Sequence, residues 1–329
     1  MEYRQLGSTG VRVSAVSLGS WLTYGGSVEE ATAAECMHVA YEAGVNLFDT
    51  ANVYMRGRSE EVVGRALGRY PRDSYVLATK VFFPMGEGPN DRGLSRKHIH
   101  EQVRHSLRRL GTDYIDLYQC HRYDDTTPLA ETCAAMHDLI TAGHVLYWGV
   151  SEWSADQLTA AVELCEERGW RAPVSNQPQY SALWRKIERD GVLAACDRHG
   201  LGNIVWSPLA MGVLTGKYLP GASPTPGSRA ATEDAWFMAA YMEDDVLRAV
   251  QDSLEVARDA NVPVAQLALE WCLRQSGVSS VIIGASRPEQ LAQTLPAGDG
   301  GISASVIRAY DAVLEPVAGH ISRTLGVAR

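Results

Sequence analysis

The chain has 329 residues, of which 46% are hydrophobic, so it can bury a large core, and we expect one barrel-sized domain over residues 1–329. Its formal net charge of −9 at pH 7 argues against a nucleic-acid-binding surface. The sequence contains no run of about 18 apolar residues, so we expect neither a transmembrane helix nor membrane insertion.

The cysteines and the first residues bear on the compartment. Residues 1–6 lack the apolar core of a signal peptide. The six cysteines contain no Cys-x-x-Cys pair, and in a large domain this distribution predicts reduced, buried thiols and a cytoplasmic protein. We expect no metal site, since His98 and His100 lie two positions apart on a predicted helix and point to different faces.

Along the chain, a predicted β-hairpin precedes alternating strands and helices. Residues 2–5 and 11–13 flank the turn signal at residues 7–10. Eight strands are predicted at residues 16–19, 45–48, 75–79, 114–118, 145–150, 172–176, 203–206 and 280–283. Helices are predicted at residues 28–43, 59–68, 96–109, 128–141, 155–167, 185–199, 244–259 and 264–275, and from about 288.

This alternation predicts the fold. Strands that alternate with helices are typical of a parallel sheet, and eight such units indicate a closed (β/α)8 TIM barrel, an α/β fold, with an N-terminal β-hairpin. An open doubly wound sheet is the alternative, but no Gly-x-Gly-x-x-Gly follows any predicted strand. In the first unit, Ser27 is placed to cap the helix and Gly44 to end it.

Two connections are too long to be plain loops. They cover residues 81–95 and 207–242, and the second is rich in proline and glycine. Loops beyond about 12–15 residues in a compact domain are usually functional or mobile. Because both leave the carboxyl ends of strands, we expect them to overhang the C-terminal mouth of the barrel.

Ionisable side chains follow three successive predicted strands. Asp49 and Tyr54 come after the first of these, Lys80 ends the second, and His121 follows the third. A tyrosine is a poor acid at neutral pH, but a neighbouring ammonium lowers its pKa, and a carboxylate keeps that lysine charged. This set predicts an acid–base site in which His121 orients a carbonyl oxygen or shares the proton transfer. The alternative is a structural ion pair beside a rim tyrosine.

Several motifs are similar to those of the aldo-keto reductases. They include Gly19, the stretch 48–51 with Tyr54, Lys80, and the stretch 113–118 followed by His121. The stretches 93–99, 147–151, 206–210, 216–218, 228–229 and 271–274 resemble the subgroup that contains the potassium-channel β subunits. This resemblance implies a (β/α)8 barrel that binds NADPH (or NADP+) in an extended pose, without a dinucleotide-binding domain.

The resemblance also implies roles for single residues. Asp49, Tyr54, Lys80 and His121 correspond to a catalytic tetrad in which Tyr54 is the general acid. The implied cofactor-binding residues are Ser20, Trp21, Asp49, Ser151, Gln177, Trp206, Ser207, Pro208, Leu209, Gly212, Lys217, Arg229, Gly284, Ser286 and Gln290. Among them, Trp206 would stack on the nicotinamide ring, and Ser151 and Gln177 would hydrogen-bond its carboxamide. Core packing is the alternative for Trp206.

Substrate and partners follow from the same motifs. Four aromatic residues, Trp21, Tyr24, Phe82 and Phe83, are candidates to line the mouth and favour an aromatic or hydrophobic carbonyl substrate, or the corresponding alcohol. The first hypothesis is an NADPH-dependent reductase of aldehydes or ketones. The second is an NADPH-binding regulatory subunit that senses redox state with little turnover. Histidine at 121, where the channel subunits carry asparagine, favours the reductase. The oligomeric state stays open, with a homo-oligomer among the alternatives.

Overall fold

A computed structural model describes residues 1–224, 227–231 and 238–326, and the chain begins with an antiparallel hairpin. Strand β1 covers Tyr3–Gln5 and strand β2 covers Arg12–Ser14. Leu6 and Val13, both on this hairpin, are buried and pack with apolar side chains from inside the barrel. The hairpin therefore closes the end of the barrel that lies opposite the mouth.

Eight parallel strands close into a barrel in the order β10-β3-β4-β5-β6-β7-β8-β9. They are β3 (Val16–Gly19), β4 (Leu47–Asp49), β5 (Val76–Val81), β6 (Ile115–Cys120), β7 (Val145–Val150), β8 (Ser175–Asn176), β9 (Gly202–Val205) and β10 (Val278–Ile283). The prediction of a (β/α)8 TIM barrel with an N-terminal β-hairpin is confirmed. The long segments 81–95 and 207–242 leave the ends of β5 and β9, although residues 225–226 and 232–237 lie outside the described part of the chain.

Helices surround the barrel. They are α1 (Glu30–Glu42), α2 (Arg58–Leu67), α3 (Arg96–Leu110), α4 (Leu129–Thr141), α5 (Ala155–Arg168), α6 (Lys186–Arg189), α7 (Val192–His199), α8 (Asp244–Asp259), α9 (Val264–Leu273), α10 (Pro288–Thr294) and α11 (Ala304–Gly326). Their apolar faces pack on the strands in one large hydrophobic core, in which Trp148, Trp153 and Trp271 are among the largest buried side chains. A smaller apolar cluster fills the inside of the barrel.

Three local predictions were wrong. The helix predicted at residues 185–199 is divided into α6 and α7, because Gly191 between them adopts a φ of +73°. Ser27 does not cap α1: the N-cap is Glu29, and the Ser27 hydroxyl donates instead to the Leu22 carbonyl oxygen, 2.9 Å away. The strand predicted at residues 172–176 is only Ser175–Asn176, because Pro173 has no N–H group to donate to a ladder. Gly44 does follow the end of α1, with a φ of +89°.

The strand register builds a polar layer at the mouth. Gly19 pairs with Asp49, Lys80 pairs with Gln119, and Gln119 pairs with Gly149. Deeper inside, the same strands contribute apolar residues such as Leu47. Polar side chains at adjacent strand ends are thus brought together above an apolar floor, as in the active sites of other barrels of this kind.

Candidate active site

A buried ion pair lies at the centre of the mouth. The Lys80 Nζ atom is 2.5 Å from Asp49 Oδ2 and 2.8 Å from the Thr50 carbonyl oxygen, and both side chains of the pair are almost fully buried. Burial lowers the pKa of Lys80, but Asp49 and Tyr54 oppose this, and the pKa stays above its ordinary value. Lys80 is therefore charged at neutral pH.

Two glutamine side chains hold the other oxygen of Asp49. Asp49 Oδ1 accepts a hydrogen bond from Gln177 Nε2 at 2.8 Å and another from Gln119 Nε2 at 3.3 Å. Sequence reasoning identified Gln177 but missed Gln119, which is fully buried in β6. A polar residue within a buried strand, two positions before His121, was the signal that could have identified it. These bonds fix the carboxylate that orients Lys80.

Tyr54 lies beside the lysine. Its hydroxyl oxygen is 3.5 Å from Lys80 Nζ, and the 3-10 turn that carries it contains Met55 and Arg56 with φ values of +47° and +53°. Burial raises the pKa of Tyr54, and this outweighs the lowering effect of Lys80, so the pKa lies above its ordinary value. The Lys80 ammonium alone would lower the pKa of Tyr54, but the combined effect of the surroundings raises it. The phenol stays protonated and can donate a proton.

His121 lies next to Tyr54, with ring centroids 5.7 Å apart. Burial, with the nearby charges of Lys80 and Arg122, lowers the pKa of His121 well below its ordinary value. Its ring is therefore neutral and carries one donor and one acceptor nitrogen. The Nδ1 atom is buried and has no hydrogen-bond partner among the described residues. The neutral ring beside Tyr54 can therefore either donate or accept a hydrogen bond.

Trp206 stands at the end of β9. Its ring meets Trp21 edge-on, with centroids 5.9 Å apart and an interplanar angle of 81°. Its Nε1 atom donates to Glu152 Oε1 at 2.9 Å. The guanidinium carbon of Arg229 lies 5.6 Å from the centre of the Trp21 ring, so residues 227–231 reach back across the mouth to the loop after β3. Trp21, Trp206 and Arg229 are brought together as one wall.

The residues implied to hold the carboxamide form part of the polar layer. The Ser151 hydroxyl donates to the Gln177 carbonyl oxygen at 2.8 Å. The Ser20 hydroxyl donates to Thr50 Oγ1, also at 2.8 Å, and Ser20 N–H donates to the Asp49 carbonyl oxygen. Ser20, Ser151 and Gln177 are therefore held beside Asp49 by hydrogen bonds.

The chain after β9 forms a strained turn. Ser207, Ala210 and Met211 have φ values of +53°, +46° and +58°, a left-handed conformation that non-glycine residues seldom adopt. Pro208 and Leu209 belong to this turn. Such strain is concentrated at functional sites, and here it places backbone groups of the turn at the mouth.

Gly212 and Lys217 form a cationic cradle beside this turn. Gly212 has a φ of +92°, and a Cβ added to it would lie 3.0 Å from Lys217 Nζ. The absent side chain therefore leaves space between the backbone and the ammonium group. A backbone turn next to an exposed lysine suits a phosphate group.

The end of β10 carries Gly284, Ser286 and Gln290. The Gln290 Oε1 atom accepts hydrogen bonds from the N–H groups of Ser286 at 2.8 Å and Arg287 at 3.3 Å. The Ser286 hydroxyl is 3.3 Å from the same oxygen. Gln290 thus fixes the turn that leads from β10 into α10, and Gly284 and Ser286 are exposed.

Three of the four aromatic candidates for the substrate pocket face the mouth. Phe83 lies edge-on to His121 with ring centroids 4.8 Å apart, and Phe82 lies edge-on to Phe83 with centroids 5.2 Å apart. Trp21 belongs to the wall that it forms with Trp206 and Arg229. Tyr24 does not join them. It is 1% exposed, its backbone carbonyl accepts from the Ser59 hydroxyl, and its pKa is raised by burial and by Cys36 of α1 beside it. The loop after β3 turns Tyr24 away from the mouth, so its assignment to the substrate pocket is corrected.

Glu152 is a second residue that sequence reasoning missed. It follows Ser151 directly and adopts a φ of +59°. Its Oε1 atom accepts hydrogen bonds from Trp206 Nε1 and from the Gln179 backbone N–H. A carboxylate two positions after the end of β7 was the available signal.

The described ranges also bear on metal binding and on membrane spans. No group of three or more histidine, cysteine or acidic side chains there is placed to hold a metal ion. In the same ranges no helix combines the length and the hydropathy needed to cross a membrane. All six cysteines are free and buried.

A parallel eight-stranded barrel whose strand ends assemble Asp49, Lys80, Tyr54 and His121 defines the class of protein. The family model for the aldo/keto reductase family matches residues 15–315, and the chain belongs to that family. Membership supports an oxidoreductase that uses a nicotinamide cofactor.

Curated relatives are similar over nearly the whole chain. A probable voltage-gated potassium channel subunit beta from Arabidopsis thaliana is 43% identical over 302 residues, which cover 91% of this chain and 92% of the relative. A protein of the same description from Oryza sativa subsp. japonica gives the same values. A putative voltage-gated potassium channel subunit beta from Schizosaccharomyces pombe is 40% identical over 302 residues, 90% of this chain and 87% of the relative.

Proposed function

We propose that this protein is an NADPH-dependent reductase that converts aldehydes or ketones to alcohols, with Tyr54 as the general acid. The observation that carries the proposal is the buried Lys80–Asp49 pair, with the Tyr54 hydroxyl 3.5 Å from the ammonium and the neutral His121 ring beside it. A purely structural ion pair would need neither a protonated tyrosine at its open end nor an unpartnered histidine nitrogen.

The described residues fit an extended nicotinamide dinucleotide. Gly212 leaves the space that a Cβ would fill beside Lys217, which suits the pyrophosphate. Trp206 would hold the nicotinamide ring, and Ser151 and Gln177 would hold its carboxamide. Arg229, with Ser286 and Gln290, would lie toward the adenosine and its phosphate. When bound, the reduced nicotinamide supplies a hydride to the carbonyl carbon.

The protein's own groups would manage the proton. His121 would accept or donate a hydrogen bond at the carbonyl oxygen and orient it toward the Tyr54 hydroxyl. Tyr54 would protonate that oxygen as charge develops on it, and the Lys80 ammonium would stabilise the resulting phenolate. Asp49 would keep Lys80 charged and in place through each turnover.

Phe82, Phe83 and Trp21 favour an aromatic or hydrophobic carbonyl substrate. Their rings supply the apolar wall that a ligand pocket usually combines with a few polar groups. We place the protein in the cytoplasm, because its six cysteines are free and buried.

The relatives give the second candidate. They are described as potassium channel β subunits, so this chain could hold NADPH mainly to sense redox state and regulate a partner. His121 favours the reductase, since it adds a second polar group at the reacting oxygen.

The experiment follows cofactor absorbance with the purified protein and a panel of aromatic and aliphatic aldehydes and ketones, using NADPH and NADH in parallel. A reductase consumes NADPH steadily with at least one carbonyl, and with lower efficiency for NADH. A regulatory subunit binds NADPH and consumes no more than one equivalent.

A further inference from the structure

Glu152 receives two hydrogen bonds on one carboxylate oxygen. Its Oε1 atom is 2.9 Å from Trp206 Nε1 and 2.5 Å from the Gln179 backbone nitrogen. The residue holds a φ of +59°, in the left-handed region, although it is not glycine. A strained conformation persists only where its surroundings determine it, and here it aims the carboxylate at Trp206.

The contacts continue from Gln179 to the far end of the long segment 207–242. The Gln179 side chain donates from Nε2 to the Tyr241 hydroxyl at 2.9 Å, and Tyr241 is fully buried. The Trp206 backbone nitrogen donates to the Pro178 carbonyl oxygen at 3.0 Å. Both ends of the segment are therefore fixed to the same short stretch after β8.

A carboxylate suits this junction better than a neutral acceptor. Hydrogen bonds to an ionised oxygen are shorter and stronger than bonds between neutral groups. Trp206 meets Trp21 only edge-on, so its ring is supported on that side without being stacked. Packing against Trp21 alone would leave the rotation of the Trp206 indole less defined. The hydrogen bond from Nε1 to Glu152 fixes that rotation.

We propose that Glu152 is a positioning residue, which orients the Trp206 indole for the cofactor and joins it through Gln179 to the far end of the long segment. The part that concerns the cofactor rests on the proposed function, whereas the orientation of Trp206 does not. Glu152 acts through Trp206 and is given no role in the chemical step.

The first test needs no cofactor. Protein labelled with 5-fluorotryptophan gives fluorine resonances for its eight tryptophans, and the Trp206→Phe spectrum assigns that of Trp206. Glu152→Ala should shift and broaden the Trp206 resonance, because Nε1 loses its acceptor. Glu152→Gln, which keeps a neutral oxygen acceptor for both donors, should restore it part of the way to the parent position. An unchanged Trp206 resonance in Glu152→Ala, or a Gln variant as perturbed as the Ala variant, overturns the proposal.

The second test measures dissociation constants for NADPH and NADP+ by titration. Loss of a hydrogen bond to a charged group is expected to weaken binding of both by about 10-fold or more in Glu152→Ala, and Glu152→Gln should recover part of the loss. In a Trp206→Phe background the same Ala substitution should have a clearly smaller effect, because its action passes through the indole. An equal loss of affinity in both backgrounds would show that Glu152 acts independently of Trp206, and would overturn the proposal. If the parent protein binds neither cofactor, the proposed function fails, while the fluorine spectra still decide the role of Glu152.

Discussion

Burial acts in opposite directions on two residues that flank Lys80. It raises the pKa of Tyr54 and lowers that of His121, because a site with little water disfavours the charged form of each. Lys80 stays charged in spite of its burial, because the Asp49 carboxylate lies 2.5 Å from its ammonium group and favours the charged form. One charged acid–base group thus lies near two neutral ones. A neutral, protonated tyrosine is the form that a general acid requires.

The lowered pKa of His121 predicts acid sensitivity. The unfolded chain binds a proton at His121 near pH 6.5, whereas the folded protein resists protonation there. The unfolded state therefore holds more protons below about pH 6.5, and stability is lost as the pH falls from that value toward the folded pKa. His121→Asn should reduce the loss in unfolding free energy between pH 7.5 and 5.5 by up to about 1.4 kcal/mol.

The pH measurement uses urea unfolding of the parent and His121→Asn proteins at both pH values. His98, His100 and His105 also have lowered pKa values, mainly through burial, and they are common to both proteins. Only the difference between the two proteins therefore reports on His121. Identical losses on acidification would contradict a proton-resistant His121.

Single residues show what sequence can and cannot predict. Asp49, Tyr54, Lys80 and His121 were placed together correctly, because strand ends in a barrel share one mouth. Tyr24 was misplaced for a physical reason: the path of a loop after its strand decides which way a side chain points, and no periodicity reports it. Gln119 and Glu152 were missed because their importance lies in their partners on other strands.

Among the elements, the segment after β9 crosses the mouth of the barrel. Its described parts begin at a strained turn, pass the Lys217 cradle, reach Trp21 through Arg229 and end near Tyr241. The sequence predicted a long overhanging segment from its length and its prolines. It could not predict that both ends are tied to the stretch after β8, since those ties depend on tertiary contacts.

This segment should become more protected when NADPH binds. Hydrogen exchange, measured with and without saturating NADPH, should slow within residues 207–224, 227–231 and 238–242, because cationic contacts to the pyrophosphate order the backbone. Helix α5, which packs on the outside of the barrel, serves as the internal control and should not change. Hydrogen exchange that is equally fast with and without NADPH would contradict closure of this segment over the cofactor.

The contact between α2 and α3 gives a stability prediction. A Cβ on Gly64 would lie 2.3 Å from the Leu110 carbonyl oxygen, so Gly64→Ala forces the two helices apart. Alanine favours a helix by about 1 kcal/mol over glycine, yet the clash should dominate and cost about 1–3 kcal/mol in net stability. Gly10→Ala is the control, since nothing lies within 4 Å of its added Cβ. Chemical denaturation of both variants measures their free energies of unfolding. A gain in stability for Gly64→Ala would show that α2 and α3 are not packed this closely.

In the molecule as a whole, the residues that stabilise the barrel and the residues of the candidate site lie at opposite ends. The hairpin and the apolar cluster fill one end, and the polar layer with its long loops occupies the other. The sequence predicted this division because alternating strands and helices dictate a closed parallel barrel. The shortened β8 was missed although Pro173 is visible in the sequence, whereas the N-cap of α1 depends on local hydrogen bonds that the sequence does not show.

The reaction that we propose is transfer of a hydride to a carbonyl carbon while Tyr54 protonates the oxygen. The most direct test follows a single turnover of protein-bound NADPH, deuterated at C4 on either face, with a carbonyl from the panel, in the parent and Tyr54→Phe proteins. We expect deuterium on the alcohol carbon from one face only, and a rate about 10²–10⁴-fold lower in Tyr54→Phe with cofactor affinity unchanged. NADPH that binds but delivers no deuterium to any carbonyl, or a Tyr54→Phe rate within a few-fold of the parent, would contradict it.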